Sequence, residues 1–165
     1  SDCVRLLHTK GKHHPVYINR GDTPSNNLMI LGFQNALKEL SVSENPPVLW
    51  LDIEKEEWQS SYDATQKLLK DFPDMDSIIY ATDFLAHAGI QALKDAGVCV
   101  PDQVAVIGVD NSTYARISSP RLTSLDNKLE QLSITCADIL VKVLQGEKVA
   151  NKMMLFSDIV EREST

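Results

Sequence analysis

The sequence is short of the features that mark several classes of protein. Its three cysteines, Cys3, Cys99 and Cys136, are odd in number and far apart, and none follows a C-x-x-C spacing. A disulfide framework and a structural zinc site are therefore not expected. No apolar run approaches the roughly 18 residues that a membrane-spanning helix needs. These absences predict reduced thiols, a cytoplasmic protein and no contact with a membrane.

Positive charge is also scarce. The 165 residues contain 16 Lys and Arg against 23 Asp and Glu, which gives a net charge of −7, and the densest basic segment is Lys10–His14. Binding to nucleic acid depends on neutralising phosphates with such side chains. We therefore do not expect this stretch of chain to bind DNA by itself.

Loops that carry common enzymatic chemistry are missing as well. No Gly-x-Gly-x-x-Gly, Walker or Gly-x-Ser-x-Gly segment follows a predicted strand. Cys136 falls on the apolar face of a predicted helix and Cys99 precedes a strand, so packing is the expected role of both thiols. His87 faces away from the apolar stripe of its helix and is expected to be solvated. No catalytic residue, cofactor or metal ion is predicted.

Apolar runs and amphipathic patterns alternate along the chain, and this order predicts an α/β fold with a doubly wound parallel sheet. The helix starting near Pro24 has Thr23 as its start signal, and Gly97 ends the helix that begins at Asp83. The segment from Asp110 to Asn127 has little period and is predicted to be a crossover. The other predicted elements are strands at Pro15–Asn19, Val48–Ile53, Ser77–Ala81 and Val104–Val109, a helix with Trp58, Tyr62, Thr65, Leu69 and Phe72 on one face, an amphipathic helix containing Leu129–Leu144 and a final β segment.

Ligands of open α/β sheets bind at the carboxyl ends of the strands. Asp110 ends the fourth predicted strand, and its carboxylate can either accept hydrogen bonds from a hydroxylated or amine-bearing ligand or accept them from its own turn. Thr82 and Asp83 can each cap the helix that follows them, and Thr82 can also face the crevice. The segments at this edge are Asn19–Asp22, Asp52–Glu57, Ala81–Asp83 and Val109–Ser112.

The motifs after Ile78 combine into one recognisable pattern. The chain reads "ATDFLAHAGIQALKDAGVCVPDQVAVIGVD", then "SPRLTSL", then a helix ending in "LQGE" and a terminal "RES", with "LGFQNAL" upstream. This combination resembles the LacI/GalR family of bacterial transcription regulators. The resemblance implies a periplasmic-binding-protein-like (type I) fold, of which residues 1–122 and 150–165 form the C-terminal lobe. Residues 123–149 are then a crossover and a helix of a mostly absent N-terminal lobe, and the DNA-binding domain is absent.

The resemblance also implies a function. The chain would be the ligand-sensing and dimerisation core of a regulator, in which a sugar or related metabolite controls operator binding through a helix-turn-helix outside this chain. The bulky side chains of Tyr114 and Ile117 in a polar segment favour a homodimer. A sugar-binding protein of a transport system is the alternative, and a small α/β enzyme is a third reading.

Three effector positions of the family can be placed on this sequence. The family's aspartate corresponds to Asp110, its asparagine to Thr82 and its arginine to Met29. Because methionine cannot form directed, charge-assisted bonds, the implied ligand is less polar, or is a sugar held by other groups, or small-molecule binding has been lost. The other candidate ligand contacts are Asn19, Asp22 and Trp58.

Overall fold

The computed structural model of the chain describes residues 1–21, 23–42, 47–51, 54 and 56–165. Its helices are α1 (Asp2–Thr9), α2 (Pro24–Glu39), α3 (Glu57–Asp71), α4 (Asp83–Asp95), α5 (Thr113–Ile117) and α6 (Leu129–Leu144). Its strands are β1 (Pro15–Asn19), β2 (Val48–Trp50), β3 (Ser77–Tyr80), β4 (Ala105–Val109), β5 (Thr123–Asp126) and β6 (Asp158–Val160). The described helices and strands alternate as predicted up to β4.

The six strands form one sheet in the order β2-β1-β3-β4-β5-β6. Every neighbouring pair is parallel except β5 and β6, which are antiparallel with Leu125 opposite Ile159. All residues of β1, β3 and β4 are buried. Continuous burial of this kind is typical of parallel strands that are covered on both faces, and it explains their unbroken apolar runs.

The rings of two tyrosines show that helices cover both faces of the sheet. Tyr17 of β1 lies beside Ile79 of β3 in the strand register, and its ring packs against Phe33 of α2. Tyr80 follows Ile79 and therefore points to the opposite face, because successive side chains of a strand alternate. There its hydroxyl hydrogen-bonds to Thr65 of α3. The predicted doubly wound α/β sheet is thus confirmed.

The buried face of α3 differs from the predicted one. The structure buries Ser60, Ser61, Thr65 and Leu68, whereas Phe72 is exposed and Trp58 and Tyr62 are only half-buried. The small hydroxyl residues allow α3 to pack closely on α4, and they form internal hydrogen bonds. Ser61 donates to the carbonyl of Leu85, and Thr65 donates to that of Ser61. The spacing of apolar residues in the sequence predicted that the larger apolar side chains would be buried, because it gave no information about the hydrogen-bond partners of Ser61 and Thr65.

The predicted crossover Asp110–Asn127 contains two regular elements, α5 and β5. β5 lies inside the sheet, and Thr123 and Ser124 are completely buried. Their hydroxyl groups find polar partners, since Thr123 accepts a hydrogen bond from the backbone N–H of Arg162 and Ser124 donates to Asp83. These buried polar side chains removed the apolar signal that a strand usually shows. Residues 123–126 therefore belong to the sheet rather than to a crossover.

The helix α6 is present as predicted, but none of its residues is buried. Cys136 is exposed rather than packed, because the apolar side chains of α6 have no covering layer within the described residues, and Cys99 is exposed as well. In the predicted final β segment, only β6 forms a strand, and Phe156 is 86% exposed. Within the described part of the chain, no helix is long and apolar enough to cross a membrane.

His87 is half-buried, which contradicts its predicted solvation. Its Nδ1 atom lies 2.9 Å from the hydroxyl oxygen of Ser118, and its ring lies 5.7 Å from the ring of Tyr114. Both partners come from α5 and the residue after it, a segment that packs onto α4. The sequence pattern of α4 marked the face that packs on the sheet, but it carried no information about this second contact.

Asp83 joins the start of α4 to two other parts of the sheet edge. The side chain is buried, and its two carboxylate oxygens accept hydrogen bonds of 2.6 Å from the backbone N–H of Ser112 and from the hydroxyl of Ser124. The pKa of this carboxyl group is raised, mainly by burial and also by the charge of Asp110, while the hydrogen bonds from Ser124 and Ser112 act in the opposite direction. The predicted capping role of Asp83 is wrong, since the capping side chain is that of Thr82.

Gly89 and Gly32 provide a matched pair for testing the packing of the helices. Both lie inside helices, but a Cβ at Gly89 would overlap the buried ring of Tyr80, whereas a Cβ at Gly32 would lie at an ordinary contact distance, 3.7 Å, from the N atom of Ser1. We expect Gly89→Ala to lower the free energy of unfolding by about 1 to 3 kcal/mol through overpacking. Gly32→Ala should raise it by about 0.5 to 1 kcal/mol. Urea unfolding measures both, and equal effects would contradict this packing.

Asp83 allows a second test. Asp83→Ala removes both hydrogen-bond acceptors, so we expect the free energy of unfolding to fall by about 1 to 3 kcal/mol. The control is Asp102→Ala at an exposed position, which should change it by less than about 0.5 kcal/mol. Thermal melting of the two variants makes the comparison. A melting temperature of Asp83→Ala equal to that of the control would show that this carboxylate does not support the edge.

Candidate ligand-binding cleft

A cleft of about 490 Å³ opens at the carboxyl ends of β1, β3 and β4. This is the edge at which α/β sheets bind ligands. Of the six residues predicted to contact a ligand, the structure brings three together here, namely Asp110, Thr82 and Met29. The remaining lining residues are Arg20, Gly21, Thr23, Asn26 and Ala81.

Asp110 lies in a strained turn directly after β4. Its φ is +97° and that of Asn111 is +48°, values that residues other than glycine rarely adopt. Hydrogen bonds to β5 hold this turn, because the backbone N–H of Asp110 donates to the carbonyl of Leu125 and that of Asn111 donates to the hydroxyl of Ser124. Strain of about 1 to 3 kcal/mol per residue is often found at functional sites. The strained backbone therefore marks Asp110 as a candidate functional residue.

The carboxylate of Asp110 has one hydrogen-bond donor among the described residues. The side-chain amide of Asn127 donates to its Oδ1 atom over 3.1 Å, and the Oδ1 atom of Asn127 accepts in turn from the hydroxyl of Ser157. No backbone N–H of its own turn donates to this carboxylate in the described structure, so that alternative role of Asp110 is not what the structure shows. A carboxylate offers about four acceptor positions. Asp110 therefore has capacity left for a ligand.

Thr82 has two possible roles that are compatible with each other. It is the N-cap of α4, with extended backbone angles (φ −146°, ψ 160°), and its Oγ1 atom accepts a hydrogen bond of 3.3 Å from the N–H of Leu85. A hydroxyl group that accepts one bond still has a proton to donate and a second lone pair. Thr82 can thus cap the helix and contact a ligand in the cleft at the same time.

Met29 forms an uncharged part of the wall. Its sulfur atom accepts a hydrogen bond of 3.3 Å from the hydroxyl of Tyr17. Met29 also lines a smaller cavity of about 80 Å³, which lies between the sheet and α1 and includes Val4 and Phe33. The side chain therefore separates the polar cleft from an apolar interior.

Two of the other predicted residues, Asn19 and Trp58, do not line the cleft. Asn19 is completely buried, and its side chain accepts from the N–H of Arg20 and donates to the carbonyl of Gly21, so it shapes the turn after β1. Trp58 stacks on Tyr62 with ring centres 5.4 Å apart and does not line the cleft. Asp22 lies outside the described residues.

Five lining residues were not among the predicted contacts, and three of them, Arg20, Thr23 and Asn26, have polar side chains. Arg20 follows β1 and forms an ion pair with Glu57, at the start of α3. Asn26 lies in the first turn of α2, where its side-chain amide donates to the carbonyl of Gly21 over 2.7 Å. The position of Arg20 at a strand end was a signal in the sequence, but nothing in the sequence distinguished Asn26 from other polar helix residues.

The polar side chains described at the cleft can form hydrogen bonds or an ion pair with a ligand. Its described lining provides a carboxylate, two threonine hydroxyls, an amide and a paired guanidinium, and no cysteine, serine or histidine is among these described residues. Among the residues that the structure describes, no three histidine, cysteine or acidic side chains are grouped so as to hold a metal ion.

The chain is similar in sequence and structure to several transcription regulators. The family of periplasmic binding protein-like domains matches residues 4–165. An HTH-type transcriptional regulator of Lachnoclostridium phytofermentans is 30% identical over 99% of this chain and 49% of its own length. The structure of the regulator CelR in complex with cellobiose superposes with a TM-score of 0.87 at 27% identity, covering 98% of this chain and 49% of that one.

The lac repressor dimer bound to operator and the anti-inducer ONPF has the same fold, with a TM-score of 0.84 at 22% identity, over 99% of this chain and 56% of that one. The chain spans about half the length of the curated relatives it matches. The resemblance to LacI-type regulators that the sequence motifs suggested is confirmed by these matches. From the match over residues 4–165 and the topology of its sheet, the chain belongs to the family of periplasmic binding protein-like domains.

Proposed function

We propose that this chain is the effector-binding and dimerisation part of a LacI-type transcription regulator. The observation that carries the proposal is the cleft at the carboxyl ends of the strands, which brings Asp110, Thr82 and Met29 together on a fold shared with regulators. The full-length protein would bind operator DNA through an N-terminal helix-turn-helix in the cytoplasm. Its function would be allosteric rather than catalytic, without a cofactor or metal ion.

The uncovered helix α6 supports a core with two lobes. Apolar side chains such as Leu132, Leu140 and Leu144 are 44%, 58% and 77% exposed, an unusual state for a helix with a long apolar stripe. We infer that residues 127–149 pack in an N-terminal lobe, while residues 1–122, β5 and the end of the chain form the C-terminal lobe. Burial of the stripe by that second lobe would supply the missing hydrophobic stabilisation.

The contacts of Asp110 supply a route from ligand to lobe movement. Through Asn127 and Ser157, its carboxylate is linked to both chain segments that connect the C-terminal lobe to α6. Lys128 makes a second link, because its ammonium group lies 2.8 Å from Asp158. A ligand that binds Asp110 better in one arrangement of these segments would shift the population towards that arrangement.

A solute-binding protein of a transport system is the second candidate, because such proteins share the fold. The regulator is favoured because its relatives are HTH-type regulators. A test of operator binding separates the two functions, since a transport component would bind a solute but no operator.

The first functional prediction concerns Asp110. Asp110→Asn keeps the shape and suits a positive φ, but it removes the charge. We expect the full-length protein to bind its operator in an electrophoretic assay, and a saturating effector to change the affinity for the operator. The Asp110→Asn variant should need about tenfold more effector to show the same change. The 165-residue chain serves as a control that should not bind operator. An effector requirement unchanged by Asp110→Asn would remove Asp110 from the site.

The second functional prediction concerns the homodimer. Ile117 is 60% exposed on α5, next to Tyr114, whose ring lies 4.9 Å from that of Phe84. We propose that this apolar surface pairs with its copy. Ile117→Asp should convert a dimer to a monomer in sedimentation experiments at micromolar concentration, because it places a charge in the interface. Thr113→Asp, at another exposed position of α5, should remain dimeric. A dimer that survives Ile117→Asp unchanged would contradict this surface.

A further inference from the structure

Several hydrogen-bond acceptors of the cleft are available to a ligand. One oxygen of Asp110 accepts no hydrogen bond within the described part of the chain, and the other receives one from the neutral amide of Asn127. One N–H of the Asn26 amide donates to the carbonyl of Gly21, and its Oδ1 atom receives no hydrogen bond from a described residue. Thr82 can still accept or donate one bond. A ligand that binds the acceptor oxygens of Asp110 and Asn26 must supply donors to them.

The charges around Asp110 favour the same type of ligand. Among the described lining residues, Arg20 is the one cation, and it forms an ion pair with Glu57. Two other cationic groups near the turn are also occupied. Lys128 binds Asp126 and Asp158, and the guanidinium of Arg162 donates to the side chain of Asn111 and to the carbonyl of Leu122. Asp110 is therefore not neutralised by a described cation.

A second carboxylate lies on the same side of the sheet edge. The N–H of Ser112, two residues after Asp110, donates to Asp83, so both carboxylates lie at the turn after β4. Burial is the main cause of the raised pKa of Asp83, and the charge of Asp110 also raises it. Asp83 has two hydrogen-bond donors, both of them neutral. Met29 adds no positive charge to the wall. A positive charge on a bound ligand would offset the negative charge of Asp110, whereas a neutral ligand would leave it in place.

We propose that the effector carries a protonated amine, which Asp110 binds, together with hydroxyl groups that contact Asn26 and Thr82. An ammonium group has three donors and no acceptor, which suits the remaining acceptor positions of the Asp110 carboxylate. The inference rests on the proposed effector-binding function and names the chemical class of the ligand. Ligands of this class are amino sugars and amino polyols.

The test compares ligands that differ only in the amine. Calorimetric titration of the full-length protein at pH 7 measures the affinity for both members of three pairs: glucosamine and glucose, galactosamine and galactose, and glucamine and sorbitol. In at least one pair, we expect the amine to bind about tenfold or more tightly than the neutral ligand. A charge-assisted hydrogen bond in place of a neutral one supports a difference of that size. Asp110→Asn should reduce the ratio within that pair to near one, and Asp102→Asn at an exposed loop position should leave it unchanged.

Met29→Arg offers a second readout, because it places a guanidinium in the cleft wall and should reduce the preference for the amine without removing Asp110. The inference is overturned if the neutral members bind as tightly as the amines, with Asp110→Asn weakening both equally. That result would leave the effector-binding function intact. Failure of every amine to bind would also overturn the inference, while the operator assay would still decide the function independently.

Discussion

The buried carboxylate of Asp83 is the interaction on which the edge of the sheet depends. It is almost completely buried and accepts hydrogen bonds from the turn after β4 and from β5. Ionised groups are costly to bury unless hydrogen bonds compensate them, so the three segments must meet in one arrangement. Gly108 of β4 leaves the space for this carboxylate, since a Cβ there would overlap it. The cleft is built on the edge that this arrangement creates.

The turn that carries Asp110 shows the consequence. Two consecutive residues with positive φ are stable only when their surroundings hold them. The hydroxyl of Ser124 compensates the buried carboxylate and holds the turn, because it donates to Asp83 and accepts from the N–H of Asn111. A single buried hydroxyl thus connects the structural carboxylate to the strained turn and so sets the position of the candidate ligand contact. The side chain of Asp110 is left facing the cleft and Asn127.

The sheet has a buried hydrophobic core, whereas the apolar side of α6 is not covered by the described residues. The faces of β1, β3 and β4 are covered, whereas α6 presents its apolar stripe to solvent. The connections to α6 pass beside Asp110 through Asn127 and Ser157. Ligand binding and the position of the exposed helix therefore meet at the same small set of hydrogen bonds, which gives the proposed allosteric function a physical basis.

The sequence by itself determined the elements whose signals are local. The buried strands β1, β3 and β4, the helix starts at Thr23 and Thr82 and the helix end at Gly97 follow from apolar runs, capping side chains and a glycine with φ of +73°. Placement of Asp110 and Thr82 at one edge also followed, because parallel strands end at the same edge.

Tertiary structure alone decided the features that depend on residues far apart in the chain. Three such features are the hydrogen bond of Ser61 in α3, the partner of His87 and the two hydrogen bonds that Asp83 accepts. Each joins residues that lie 24 to 41 positions apart in the sequence. The strand β5 was hidden because its buried side chains are hydroxyls with distant partners, which no periodicity reports. Asp110 lacks a described cationic partner because nearby cations pair with other groups, and only the folded chain brings those groups together.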